Sequence, residues 1–371
     1  MVRFVPLLAL LLVVGVGVAL GAGLDEPAGV AVPSTTTAPP LPANAGVLVA
    51  PPGGLDLHAA PGGAVDVRAA GGLALPVLET DGTWARVLTQ CSGEPWARLA
   101  DAEVIPAADP GIPGAGFDLA GAVVVVDAGH GGKFWGAVGP TGLTEKEANL
   151  DIAVRLESLL SAPRDVDWDT GTITVGTTYP SVDRVLQTRR PDGPLDGDLE
   201  TSLAYRAQLA SSAGADVFVS IHNNSVPNGT RTSPGTEIFW SLAADGSDRL
   251  ASLLHEEVVR SVAPFLDEWG GKSDAGVRAR VDPETGEDFY GLLRRATVPS
   301  AIVEGTYISE APEEALLRTA EFRQAYAEGV YRGLIRFLTT DDLGTDIREP
   351  EAWTGDPGRP RADNCELPTA P

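Results

Sequence analysis

Between residues 117 and 338, runs of four to six mostly apolar residues alternate with longer stretches in which apolar positions return every three or four residues. The runs at Ala122–Val126, Asp216–Ile221, Thr236–Trp240 and Ser300–Val303 have strand length and little polar alternation, as expected of strands covered on both faces. The stretches Glu147–Leu160, Ser202–Ala213, Ser247–Leu266 and Glu321–Leu338 carry the helical period. Their alternation predicts an α/β domain over residues 117–340: an open, mostly parallel twisted sheet with helices on both faces.

The region before it reads differently. Across residues 46–107 the segments LDLHAAPGGAVDVRAA, LALPVLETDGTWARVL and EPWARLADAEVIP follow a period of two, broken by Gly, Pro and Asp, which predicts a small all-β domain. Residues 25–45 are rich in Pro, Thr and Ala without periodicity and read as an extended linker. In residues 1–24 one Arg precedes an uncharged apolar run from Phe4 to Leu24 that ends in Gly21, Ala22 and Gly23. This is an export signal, either cleaved there or retained as a membrane anchor. The expected location is therefore extracellular or in the cell wall, with membrane association only if the segment is kept. The polar, Pro-rich residues 341–371 are expected to form an irregular tail.

Composition narrows the partners. Against 27 Lys and Arg stand 51 Asp and Glu, a net charge of −24, which disfavours nucleic acid and anionic lipid surfaces. The chain has 2 cysteines, Cys91 and Cys365. In an exported protein they suggest one disulfide, and they are too few for a Cys-rich zinc site.

Acidic residues and histidines follow three of the predicted strands. Val126 leads into Asp127-Ala128-Gly129-His130-Gly131-Gly132, Ile221 into His222-Asn223-Asn224, and Val303 into Glu304-Gly305. Ligands of open α/β sheets bind outside the carboxyl ends of strands, so these remote residues are expected to share one crevice. Of the 4 histidines, His130 and His222 hold strand ends, while His58 in the β region and His255 among Leu253, Leu254 and Val258 read as structural. A catalytic zinc takes three protein ligands and keeps a position open, and a carboxylate is the natural third. Glu145 follows the Gly-rich loop GGKFWGAVGPTGLT and opens a helix, but Glu147 lies two residues on, and spacing alone leaves both available. Asp127 reads either as a partner that orients His130 or as a turn-former.

In order along the chain, His130-Gly131-Gly132, Glu145-Lys146-Glu147-Ala148-Asn149-Leu150, Ser220-Ile221-His222-Asn223-Asn224 and Val303-Glu304-Gly305-Thr306-Tyr307-Ile308-Ser309 resemble the zinc-dependent N-acetylmuramoyl-L-alanine amidases of the amidase-3 type. The resemblance covers about residues 122–338. It implies zinc ligation by His130, Glu145 and His222, one Zn2+ per chain, and Glu304 as the catalytic glutamate. Thr188-Arg189, Leu203 and Arg206 match positions that fix the family's fold. Asp127, Asn224 and Arg206 are the implied groups around substrate and ligands. The implied reaction is metal-assisted hydrolysis of the amide between the lactyl group of muramic acid and L-alanine in peptidoglycan. Residues 46–107 resemble bacterial SH3-like modules through Leu55-Asp56-Leu57-His58 with Pro61, Asp81 to Val87 and Pro95 to Leu99, so the small β unit is expected to be an SH3-like barrel. Wall binding is implied by that resemblance alone.

The chain departs from the amidase pattern at three places. Glu310 stands where Asn is usual, Tyr307 replaces Phe, and residues 161–200 form a longer connection. Two other functions remain in view. A zinc carboxypeptidase of the stem peptide usually spaces its ligands His-x-x-Glu, unlike the fifteen positions from His130 to Glu145. A non-catalytic wall-binding protein has no need of Glu304 beside three intact ligands.

Overall fold

The computed structural model describes residues 46–90, 93–132, 134–190, 199–226, 235–265, 274–345 and 347–353, with only the backbone at 199–202 and 274–275. The expected leader and linker, and the expected Cys91–Cys365 disulfide, fall outside the described residues.

Seven short strands form the amino-terminal unit: β1 (Val47–Val49), β2 (Leu55–His58), β3 (Val65–Ala69), β4 (Ala74–Thr80), β5 (Trp84–Val87), β6 (Trp96–Arg98) and β7 (Glu103–Ile105). They pair antiparallel in the order β3-β2-β6-β5-β4-β1-β7. Alternation decides which side chains go where. Leu48, Leu55, Leu57, Leu75, Ala85, Val87 and Ala97 fill the unit's own core, whereas Val47, Ala74 and Ile105 turn outward into the core of the following domain.

That domain contains β8 (Val123–Ala128), α1 (Glu145–Leu160), β9 (Arg164–Val166), β10 (Ile173–Val175), β11 (Arg184–Gln187), α2 (Leu199–Ala213), β12 (Val217–Asn224), β13 (Thr236–Trp240), α3 (Ser247–Val262), β14 (Asp274–Arg278), β15 (Arg280–Val281), α4 (Gly291–Arg294), β16 (Ser300–Tyr307), α5 (Ala311–Leu317) and α6 (Ala320–Thr339). Six strands make a mixed sheet in the order β11-β8-β12-β16-β13-β14. The β11–β8, β8–β12, β12–β16 and β13–β14 pairs are parallel, and β13 runs antiparallel to β16.

Because successive strand residues point to opposite faces, the sheet has two cores. Val124, Val126, Val219, Ile221 and Val303 pack against α1, α3 and α6. Val123, Val125, Phe218, Phe239 and Ile302 pack against α2, α4 and the small β unit. The β unit is thus fused to the back of the sheet, and the described residues belong to one compact body. Tyr205 of α2 is buried in the β unit and donates to the Ala74 carbonyl at 2.6 Å.

One expectation, that of an irregular tail, needs correction, and the longer connection takes a definite form. The long connection after α1 folds as the antiparallel hairpin β9–β10. The tail is not wholly irregular, since β17 (Glu351–Ala352) pairs parallel with β15.

Candidate active site at the carboxyl edge of the sheet

His130 ends the chain's exit from β8, with its backbone in the left-handed region at φ 61°, the one non-Gly residue in that region among those described. A β-carbon there is costly, and such conformations survive where surrounding structure holds them. Arg206 supplies the restraint, donating to the carbonyls of Ala128 at 3.0 Å and His130 at 2.6 Å. Arg206 also pairs with Asp127, which is fully buried and accepts as well from the hydroxyls of Thr188 and Ser220. Burial raises the Asp127 carboxyl's proton affinity, but the Arg206 charge and the two hydroxyls outweigh it and hold the group below its usual range. Asp127 therefore acts on His130 through Arg206 and the backbone rather than on the imidazole.

Glu145, the first residue of α1, is buried between two imidazoles. Its Oε2 lies 3.0 Å from His130 Nε2, and its Oε1 lies 3.0 Å from His222 Nδ1. The amides of Ala137 and Asn223 donate to the same carboxylate at 2.9 and 3.1 Å, and Asn149 Nδ2 at 3.3 Å. Against the opposing effect of burial, the nearby histidines hold the Glu145 carboxyl well below its ordinary value. Burial in turn pushes the His222 imidazole down, against the upward pull of Glu145. Glu147 is engaged elsewhere, accepting from the Thr144 amide at 3.3 Å and hydroxyl at 2.7 Å as half of a helix-capping box.

This set suits a metal ion. The donor atoms of His130, Glu145 and His222 all lie within 4.8 Å of one another. Tetrahedral zinc ligands at about 2.0–2.1 Å from the ion stand about 3.3 Å apart. Two glycines shape the cradle. A β-carbon at Gly129 would fall 2.3 Å from His222 Nε2, and one at Gly136 would fall 2.4 Å from Glu145 Oε2.

Glu304 lies on β16, inside the strand rather than beyond it, with His222 as its register partner on one side and Glu237 on the other. Its Oε2 is buried and has no partner within the protein. Burial first, then the negative charges of Glu145 and Glu237, raise the Glu304 carboxyl well above its ordinary value, with Arg280 opposing them. Gly305 beside it gives room to Tyr326, whose hydroxyl accepts from the Gly305 amide at 2.9 Å and lies 3.0 Å from the His222 carbonyl.

Asn224 faces away from the ligands, donating to Glu237 at 2.6 Å. Tyr307, the departure from Phe, gives Glu237 a second donor at 2.5 Å. Glu237 also faces Arg278 and Arg280 at 3.8 and 3.9 Å. The Arg280 guanidinium is stacked over Phe239 at 4.3 Å and Trp353 at 3.7 Å. The sequence reading missed Glu237, Arg280 and Trp353. A carboxylate within the apolar strand Thr236–Trp240 was the available signal, because burying one without partners is expensive. His58 contacts the Gly63 carbonyl at 2.8 Å in the β unit, and His255 is buried on α3.

Residues 124–336 match the family model described as N-acetylmuramoyl-L-alanine amidase. Among curated proteins, the chain is 29% identical over 221 residues to the N-acetylmuramoyl-L-alanine amidase LytC of Bacillus subtilis (strain 168), a match covering 59% of this chain and 36% of LytC. It is 28% identical over 216 residues to an endolysin of Bacillus phage SPP1, covering 58% of this chain and 66% of that protein. The chain therefore spans less than two thirds of the length of either relative. Among solved structures, the catalytic domain of CwlV, an N-acetylmuramoyl-L-alanine amidase from Bacillus (Paenibacillus) polymyxa var. colistinus, is 31% identical at a TM-score of 0.44, over 58% of this chain and 98% of that one.

Proposed function

The chain belongs to the N-acetylmuramoyl-L-alanine amidase family, and from that premise we propose that it hydrolyses the amide between the lactyl group of N-acetylmuramic acid and L-alanine in peptidoglycan, using one zinc ion per chain. The observation that carries this reading is a convergence. Two imidazoles and a carboxylate from three separate segments share one point, and Glu304 stands on the next strand with a buried oxygen that no protein group satisfies.

His130, Glu145 and His222 are the ligands in this reading. When bound, zinc supplies Lewis-acid polarisation of the scissile carbonyl and makes water a usable nucleophile near neutrality. Glu304 takes the proton from the attacking water at its unpartnered oxygen as the C–O bond forms. It returns that proton to the L-alanine nitrogen as the C–N bond breaks. Its raised proton affinity suits a group that must hold a proton between two steps. Arg206 and Asp127 keep the His130 backbone in place, and Asn149 and Asn223 orient Glu145. The apolar run before Gly21, Ala22 and Gly23 supports action outside the cytoplasm, where the substrate lies.

Digestion of purified peptidoglycan tests the reading. New L-alanine amino termini on intact glycan are expected, with about one zinc per chain by elemental analysis. Glu304→Gln is expected to keep the zinc and lose about 10²–10⁴-fold in rate. Trimming from the carboxyl end of the stem peptide would identify a carboxypeptidase instead. No product, with binding retained, would identify a wall-binding protein.

A further inference from the structure

The loop that joins His130 to Glu145 is pinned at several of its described residues. Gly131 and Phe134 exchange backbone hydrogen bonds at 2.9 and 2.8 Å, and Lys146 donates its amide to the Trp135 carbonyl at 3.1 Å. Buried Glu314 accepts from the amides of Thr141 and Leu143 at 2.8 and 3.0 Å. On this fixed frame stands Trp135, 56% exposed, next to Gly136, where a β-carbon would fall 2.4 Å from Glu145 Oε2 and 2.5 Å from His130 Cδ2. Among the described residues the other large exposed hydrophobic side chains are aliphatic, and one of them, Val138 at 49%, shares the same loop. An indole and an apolar neighbour held rigidly in water at the wall of a metal cradle have no role in the core.

The order of groups across the sheet says what they meet. His130 and His222 sit at the β8 and β12 positions, with Glu304 beyond them on β16. Glu304 must lie against the leaving amine, so the peptide departs on the β16 side. The acyl portion, with its sugar, then lies on the opposite side, toward the β8–α1 loop. A pyranose ring presents a face of C–H groups that packs on an aromatic face, and a platform already rigid loses little entropy on binding.

We infer that Trp135 is a substrate-binding residue that stacks on the glycan ring adjoining the scissile bond. This rests on the amidase reading and adds a sugar subsite to it. Lys146, whose Nζ donates to the Gly132 carbonyl at 2.6 Å and lies 5.9 Å from the Trp135 ring centroid, helps hold the indole upright.

The full chain is assayed on two substrates with the same stem peptide, one joined to the N-acetylglucosaminyl-N-acetylmuramoyl disaccharide and one to a bare lactyl group. Trp135→Ala is expected to raise KM for the disaccharide substrate roughly five- to tenfold with kcat little changed, and to leave both constants for the lactyl substrate unaltered. Trp135→Phe should recover most of the loss. Equal effects on both substrates, or none on the disaccharide, overturn the proposal. Titration with the peptide-free disaccharide separates it from the amidase reading, since that experiment needs no turnover. Tryptophan emission should be quenched in the wild type and unaffected in Trp135→Phe. Equal quenching in both overturns the sugar subsite even in an active amidase. Quenching lost in the variant supports it even if no amide is cleaved.

Discussion

At the β8–β12 end of the sheet's carboxyl edge, the oxygens of Asp127 and Glu145 are saturated with protein partners. Asp127 has Arg206, Thr188 and Ser220, and Glu145 has both imidazoles and the amides of Ala137 and Asn223. At the β16–β13 end, Glu304 Oε2 and Arg280 Nε are buried with no hydrogen-bond partner. Native proteins satisfy nearly all buried polar groups, and each exception costs about 1–3 kcal/mol. The two ends therefore carry different burdens. Saturation fixes the arrangement of His130, Glu145 and His222 at one, and the deficit at the other leaves a carboxylate oxygen free, as the proposed proton transfer requires.

The largest effect should come from breaking the saturated end. Arg206→Ala would strand the buried Asp127 carboxylate and release the left-handed turn at His130, for a loss of about 3–5 kcal/mol. Urea unfolding at neutral pH measures it, and a loss below about 1 kcal/mol would show that the pair holds nothing. The pH dependence has a definite sign. Asp127 has a folded value below its unfolded one of about 3.9, so its stabilisation is present above that value and is lost as pH falls through the folded one. Without Arg206 that depression shrinks, and the acid limb of the stability curve should flatten.

The opposite end should respond with the opposite sign. In protein stripped of metal, Glu304→Gln is expected to raise stability by about 1–3 kcal/mol at neutral pH, because the amide does not ionise and escapes the cost of keeping this buried carboxyl protonated or charged. The folded value of Glu304 lies above the unfolded one of about 4.3. Its contribution is therefore most favourable below that unfolded value and is lost as pH rises through the folded one. The gain in the variant should open with rising pH and close near about pH 4. A destabilised variant at neutral pH would mean that Glu304 is held by partners as firmly as Glu145 is.

The same contrast explains how much could be read from the sequence. His130, His222 and Glu304 were legible because each follows or ends a run of apolar residues, and strand ends of α/β sheets converge. The Glu237–Arg280–Trp353 group was not, since Arg280 and Trp353 sit in segments without periodicity and only the β15–β17 pairing brings them in. Nor was the reversal of β13. Only residues 225–235 separate it from β12, too short a connection for a helical crossover, so the chain turns back and meets β16 antiparallel. The fusion of the β unit was equally hidden. Alternation in Val47 and Leu48 marks two faces, and it does not say that the outer one enters another core.

The smallest predicted effect bears on the one choice that residue spacing left open. Glu145 and Glu147 are two positions apart on one helix start, yet they point to different tasks: Glu145 to the ligand cluster, Glu147 back to Thr144. Glu147→Ala removes half of a capping box and should cost about 1 kcal/mol, with zinc content and turnover intact. Glu145→Ala should abolish zinc binding. Both residues lie in the first turn of α1 and share nearly the same dipole and propensity, so those factors cannot produce unequal zinc contents. Loss of zinc in the Glu147 variant would place the metal on the capping face of α1, and the division between a saturated and a depleted end of the rim would have to be redrawn.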